Sequence, residues 1–136
     1  MSKQCPRFFK TKAFTKLAAE SRIEDVELLR SGSDLTQGKG ISLGDGVWKK
    51  RLNKNMHRSI VIEKAADWWF FIYLYAKNDR ENITRAEEAA FKLLATQYAA
   101  MNERQLDDLL ATKEVLEIGN HGDATSIQER CIRGNS

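Results

Sequence analysis

An α+β domain, a small antiparallel sheet with helices packed on one side, is what this sequence of 136 residues predicts. Three strand candidates follow one another at 47–52, 58–64 and 68–76, and the short connections between them favour antiparallel neighbours. Helical patterns fall before and after that run instead of alternating with it, which segregates helices from strands. The segment 68–76, Trp-Trp-Phe-Phe-Ile-Tyr-Leu-Tyr-Ala, is apolar on both faces, as a covered central strand is.

The elements read as follows. Pro6-Arg7-Phe8-Phe9-Lys10 is a short opening strand with its proline confined to the start. Thr11 caps a short helix that carries Phe14, Leu17 and Ala18 on one face at i, i+3 and i+4. Ser21-Arg22-Ile23-Glu24 has capping-box spacing and opens a second helix through Leu28 and Leu29, which Gly32 ends. Residues 33–46 hold four of the eight glycines and read as a connecting loop. They are not a phosphate cradle, because such loops lead from a strand into a helix at fixed spacing and here a strand follows. Segments 53–57 and 65–67 are the turns between the three strands.

Thr84-Arg85-Ala86-Glu87 is a second capping box. Beyond it Ala86, Ala89, Ala90, Leu93, Leu94, Gln97, Tyr98 and Met101 follow helical periodicity. Asn102 with Gln105 caps a further short helix bearing Leu106, Leu109 and Leu110, and 114–119 adds a final strand. The domain is expected over 1–118, with 119–136 a polar, flexible tail.

Composition bounds the function. Hydrophobic residues at 42% and charged residues at 30% allow a true core and argue against global disorder. No apolar run approaches the ~20 residues that span a bilayer. Lys3, Arg7, Lys10 and Lys12 break up the stretch where a signal peptide needs an apolar block. Cys5 and Cys131 lie near opposite ends and suggest no disulfide framework, so a reducing, cytoplasmic setting is expected. The formal charge of +3 is uneven: residues 103–136 hold four basic against seven acidic side chains, leaving a distinctly basic body. Such a body points to a polyanionic partner.

Several chemistries are excluded. His57, His121 and two distant cysteines have no zinc-ligand spacing, and no nucleophile-elbow motif occurs. Carboxylates are scattered over helices and do not pair beside a strand end. No metal and no cofactor is expected. What does concentrate is positive charge on the sheet. A period of two puts Lys49 and Arg51 on one face and Lys50 on the other. Neighbouring strands bring Arg58 close, His57 precedes it, and Lys77 and Arg80 lie at the exit of the aromatic strand. Tyr73 and Tyr75 share parity with Lys77.

That set suits a phosphodiester: arginines grip phosphate oxygens, lysines add point charge and aromatic rings stack on unpaired bases. Metal-free RNA cleavage needs a base for the 2′-hydroxyl, cations for the charge growing on phosphorus and an acid for the leaving oxygen. On charge alone Lys49-Lys50-Arg51 more often marks a solvated strand, His57 a turn bystander, and Tyr73 and Tyr75 the core. Residue chemistry alone therefore stops at a basic α+β domain with RNA-binding character.

Two blocks carry a resemblance. Leu43-Gly44-Asp45-Gly46-Val47-Trp48-Lys49-Lys50-Arg51-Leu52 resembles the Leu-Gly-Gly-Gly-(aromatic)-Lys-Lys-Arg block of RelE/HigB-like toxins of bacterial type II toxin–antitoxin systems. Phe70-Phe71-Ile72-Tyr73-Leu74-Tyr75-Ala76-Lys77-Asn78-Asp79-Arg80-Glu81-Asn82-Ile83 is similar to the family strand that ends in Lys-(Asn/Ser)-(Asp/Glu)-Arg-x-Asn-Ile. Phe9-Lys10-Thr11-Lys12-Ala13-Phe14 looks like the family's start, and the likeness covers about residues 8–110.

The resemblance implies a curved sheet and a metal-independent endoribonuclease that cleaves mRNA on the ribosome and is neutralised by a cognate antitoxin protein. It assigns catalysis to Lys49, Arg51, Arg58, Lys77 and Arg80. Lys50, Lys54, His57, Tyr73 and Tyr75 would then contact RNA, and no membrane is involved. Lys49 is the first candidate for the base, with His57 or Lys77 next. Two departures stand out: only Asn53-Lys54-Asn55-Met56-His57 remains of a longer basic turn, and Glu81-Asn82-Ile83-Thr84 stands where one subgroup has a catalytic tyrosine. The alternatives are a ParE-like, non-enzymatic inhibitor of DNA gyrase, or a degenerate toxin that keeps only antitoxin or RNA binding.

Overall fold

Nine consecutive apolar and aromatic residues can be buried on both faces only inside a sheet covered twice, and Trp68–Ala76 (β5) occupies that position. We describe the protein from a computed structural model, of which residues 5–65 and 67–119 are described. Arg7–Thr11 (β1) is followed by helices Lys12–Glu20 (α1) and Asp25–Thr36 (α2). Strands Ile41–Gly44 (β2), Val47–Leu52 (β3) and His57–Lys64 (β4) lead into β5. Helices Arg85–Ala99 (α3) and Glu103–Ala111 (α4) and strand Val115–Glu117 (β6) complete the described chain. The six strands form one sheet in the order β2-β3-β4-β5-β1-β6.

The α+β class holds, and the sheet is mostly antiparallel. β1 is the exception: it runs parallel to β5, pairing Phe9 with Phe70. The helices do not share one side. Phe8, Phe14, Leu28, Leu35, Trp69 and Phe71 form a core between the sheet and α1/α2. Phe9, Ile60, Ile62, Phe70, Ala95 and Leu106 form another between the opposite face and α3/α4. The physical reason is in the strands: Phe8 and Phe9 point to opposite faces, and both are fully buried. A sheet this apolar on both faces has to be covered on both.

Local rules explain most boundaries. Thr11 caps α1 by accepting from Phe14 N at 3.1 Å. Thr84 and Glu87 form a reciprocal capping box on α3, as Asn102 and Gln105 do on α4. The expected box at Ser21–Glu24 does not form. Arg22 takes a left-handed φ of 57°, and α2 starts at Asp25 with no side-chain cap bond from Glu24.

Gly32 does not end α2, which continues to Thr36. Its role is close approach, since a Cβ there would stand 2.5 Å from the Phe8 ring. The loop expected over 33–46 accordingly contains the last turn of α2 and the edge strand β2. Cys5 is disulfide-bonded, which departs from the expectation of independent thiols. The tail expected over 119–136 lies, apart from Gly119, outside the described residues. No described helix is long and apolar enough to cross a membrane.

Candidate nucleic-acid interface

Register assembles the cationic face. β3 and β4 set Arg51 directly opposite Arg58, and β5 sets Tyr75 opposite Arg58 on its other side. The next row on that face runs Ile41, Lys49, Ile60, Tyr73. Directly opposed residues have Cβ atoms about 5 Å apart, so facing arginines repel unless an anion lies between them. Both rows lie on the α3 side, where Ile60 and Tyr75 belong to the core.

A β-bulge puts the tyrosines there. Ile60 pairs with Tyr73 while Val61 pairs with Phe71, so Ile72 is an extra residue in β5. Before the bulge, Trp68 and Phe70 face α3 and Trp69 and Phe71 face α1/α2. Beyond it the parity reverses, and Tyr73 and Tyr75 join the α3 side. Strict alternation would have sent both to the opposite face. Bulges commonly re-aim side chains in this way.

The cations differ in how they are held. Arg51 is exposed and has no hydrogen bond or ion pair among the described residues. Arg58 donates through Nη1 to the carbonyls of Asn55 (3.0 Å) and His57 (3.2 Å). Its Nε and Nη2 have no partner among the described residues. Lys49 Nζ donates to Asn82 Oδ1 at 3.3 Å, an oxygen that also accepts from Ile83 N.

Arg80 is fully engaged by comparison. Its Nη1 donates to Glu87 Oε2 at 3.0 Å, Nη2 to Glu87 Oε1, and Nε to Asn82 O at 3.0 Å. Its Cζ lies 5.5 Å from the centroid of the Tyr75 ring. The Glu87 bond, ahead of opposing burial, raises the Arg80 pKa. Glu87 is in turn drawn down to about 2, first by Arg80 and then by the Thr84 backbone N–H.

The open space beside these rows is a cleft of about 510 Å³ lined by Lys39, Gly40, Ile41, Lys49, Lys50, Arg51, Arg58 and Glu81. Five cations against one carboxylate attract an anion and repel a divalent metal ion. Lys50 reaches the cleft rim from the far face, where it pairs with Asp34 (3.2 Å) and donates to Lys39 O (2.9 Å).

His57 and Lys54 do not join this face, Lys77 does not line its cleft, and Tyr75 lies on it with its ring covered. His57 pairs with Leu52 and Ala76, so it points towards α2, with Nδ1 3.1 Å from Asn53 Nδ2. Lys54, in the left-handed turn Asn53-Lys54-Asn55, lines a separate cleft with Arg22, Glu27 and Arg30. Lys77 leaves β5 with its side chain exposed and no side-chain hydrogen bond or ion pair among the described residues. Tyr75 is only 5% exposed and lies beneath Arg80, so its ring is not open for a base to stack on. Burial pushes the Tyr75 hydroxyl pKa up, while Arg58 and Arg80 pull it down. Tyr73 is half-buried between the rings of Tyr75 and Phe91.

Sequence reasoning missed three contributors. Asn82 stands inside the Lys-Asn-Asp-Arg-x-Asn-Ile block, and an amide following an arginine at that spacing was a readable signal. Glu87 was visible only as a helix cap. Lys39 carried no signal, because its place depends on β2 forming.

No curated protein and no solved structure matches the chain. The family model described as "RelE toxin of RelE / RelB toxin-antitoxin system" matches residues 6–118, which contain the whole sheet, all four described helices and every side chain of the cationic face. The chain belongs to the RelE toxin family and is the toxin of a toxin–antitoxin pair, with an antitoxin as its partner.

Proposed function

We propose that this toxin is an mRNA endoribonuclease that works on the ribosome, in the cytoplasm, without a metal ion, and so inhibits translation. One observation carries the reading: Arg51 and Arg58, opposed in register with their guanidinium groups largely unpaired, face an open cleft dominated by positive charge. An unneutralised pair of that kind is costly in a purely structural sheet and useful where a phosphate lies between the two.

In this scheme Arg51 and Arg58 hold the scissile phosphate and stabilise charge on its oxygens as phosphorus is attacked. Lys49, held by Asn82 beside them, takes the 2′-hydroxyl proton. The 2′-oxygen then bonds to phosphorus as the bond from phosphorus to the 5′-oxygen breaks, and the 5′-oxygen takes a proton from solvent, giving a cyclic phosphate and a 5′-hydroxyl. Lys77 and Arg80 add charge at the end of β5. Lys50 and Lys54 would contact RNA backbone further out.

Over-expression of the wild type is expected to arrest growth, and Arg58→Ala or Lys49→Ala to relieve the arrest. Losing one contact to the transition state costs about 3–4 kcal/mol, roughly a hundred- to a thousandfold in rate. Full toxicity of both variants contradicts the site. Intact mRNA together with an induced DNA-damage response would instead place the target at gyrase.

A further inference from the structure

Arg80 stands where the site needs charge, yet it cannot close on a phosphate with its fork. Both terminal nitrogens are bound to one carboxylate, Glu87, and Nε is bound to Asn82 O. Nη1 also reaches the Tyr73 hydroxyl at 3.4 Å. Of the guanidinium's N–H groups, only one on Nη2 is left without a partner among the described residues.

Glu87 is itself immobilised. It is the third residue of α3, its backbone N–H donates to Thr84 Oγ1 at 3.0 Å, and its Oε1 accepts from Thr84 N at 2.7 Å. The helix start therefore grips the carboxylate, the carboxylate grips the arginine, and the arginine lies across Tyr75. Beneath it the Tyr75 hydroxyl is buried with no hydrogen-bond partner among the described residues. A polar group left in that state is unfavourable and persists where the surroundings are fixed for another purpose.

We propose that Glu87 is the positioning residue of the cationic face: it clamps Arg80 across the Tyr75 ring, so that the cation stands fixed beside Arg58 and presents its one remaining N–H to an RNA phosphate. The inference rests on the RNA-cleaving reading above and adds a residue that the reading does not need. A carboxylate next to an anion-binding face opposes binding unless its charge is taken up by a cation, and Arg80 takes it up. Held rigid, Arg80 needs no ordering when RNA arrives.

The cap and the clamp can be separated. Glutamine serves the third position of a capping box, as Gln105 does on α4 of this protein. Glu87→Gln therefore keeps the helix start but replaces a charged, bidentate acceptor with a single amide oxygen. Thr84→Ala does the reverse, since it removes the cap oxygen and leaves the Glu87 carboxylate on Arg80.

The test compares the full-length wild type, Glu87→Gln, Thr84→Ala, Arg80→Ala and the Glu87→Gln/Arg80→Ala double variant. Three quantities are read: ribosome-dependent mRNA cleavage, affinity for a 2′-O-methylated RNA oligonucleotide that cannot be cut, and the Arg80 side-chain N–H signal in NMR. Glu87→Gln should fold but melt somewhat earlier than wild type at neutral pH, lose the sharp Arg80 signal, and fall about tenfold in cleavage rate and several-fold in affinity. The double variant should be no worse than Arg80→Ala. Thr84→Ala keeps the backbone N–H that Glu87 Oε1 accepts from, so it should melt earlier while losing less cleavage and affinity than Glu87→Gln.

Unchanged cleavage and affinity in Glu87→Gln, or additive losses in the double variant, overturns the proposal. If the wild type cuts no mRNA, the nuclease reading fails by itself. Oligonucleotide affinity and the Arg80 signal then still decide whether Glu87 positions the arginine, because neither depends on cleavage.

Discussion

The side chains of the cationic face fall into those that are held and those that are left open, and this division sets what each substitution does. Tyr75 is the clearest held case. Its hydroxyl is buried without a partner among the described residues, a condition that costs roughly 1–3 kcal/mol. Tyr75→Phe removes that oxygen and keeps the ring under Arg80, so urea denaturation should show a gain of about 1 kcal/mol. A loss of stability would mean that the hydroxyl is bonded after all.

Glu87 makes a prediction of pH dependence. Its folded-state pKa lies at about 2, below the ordinary 4.5, with Arg80 as the first cause. The stabilisation is therefore fully present above about pH 4.5 and is lost as pH falls towards 2. Over that window the wild type should lose more thermal stability than Glu87→Gln, whose amide does not titrate. Parallel melting curves across the window would contradict the pairing. At this scale the sequence carried the identities of Lys49, Arg51 and Arg58 and their shared face. It did not carry the sequestration of Arg80, because the Arg80–Glu87 contact joins a loop to a helix cap that was legible only as a cap. Nor did it carry the burial of Tyr75 beneath that arginine.

At the scale of elements, boundaries were legible where local chemistry sets them. The Thr84 and Asn102 capping boxes and the strand at Val47–Leu52 are cases, each written in a few neighbouring residues. They were not legible where packing overrides local preference. Gly32 reads as a helix stop, yet it lies within α2 because the Phe8 ring leaves no room for a side chain. The consequence is testable. Gly32→Ala improves helix propensity by about 1 kcal/mol, but its methyl would sit 2.5 Å from a fully buried ring. Overpacking of that kind costs about 1–3 kcal/mol and should win, so the variant should unfold at lower urea than wild type. The bulge at Ile72 is another such case. Parity counted from Trp68 places Tyr73 and Tyr75 on the wrong face, and only the pairing of Ile60 and Val61 with β5 reveals the shift.

For the molecule as a whole, the α+β class followed from the order of segments, while the placement of helices on both faces did not. The double coverage was implicit in Phe8 and Phe9, adjacent apolar residues of one strand that must be buried on opposite sides. It bears on function, because α3 lies against β3 and β4, while Lys49, Arg51 and Arg58 on those same strands border an open cleft. Basic composition likewise foreshadowed the cationic face, which the fold places on one side of a sheet whose other face is occupied by α1 and α2. The measurement that reaches this claim most directly is mapping of mRNA 5′ ends in cells after brief induction of the wild type and of Arg58→Ala. New 5′-hydroxyl ends phased with the reading frame in the wild type, and their loss in Arg58→Ala, are the expected result. Unphased or unchanged ends in the wild type, or equal cleavage by Arg58→Ala, would contradict the account.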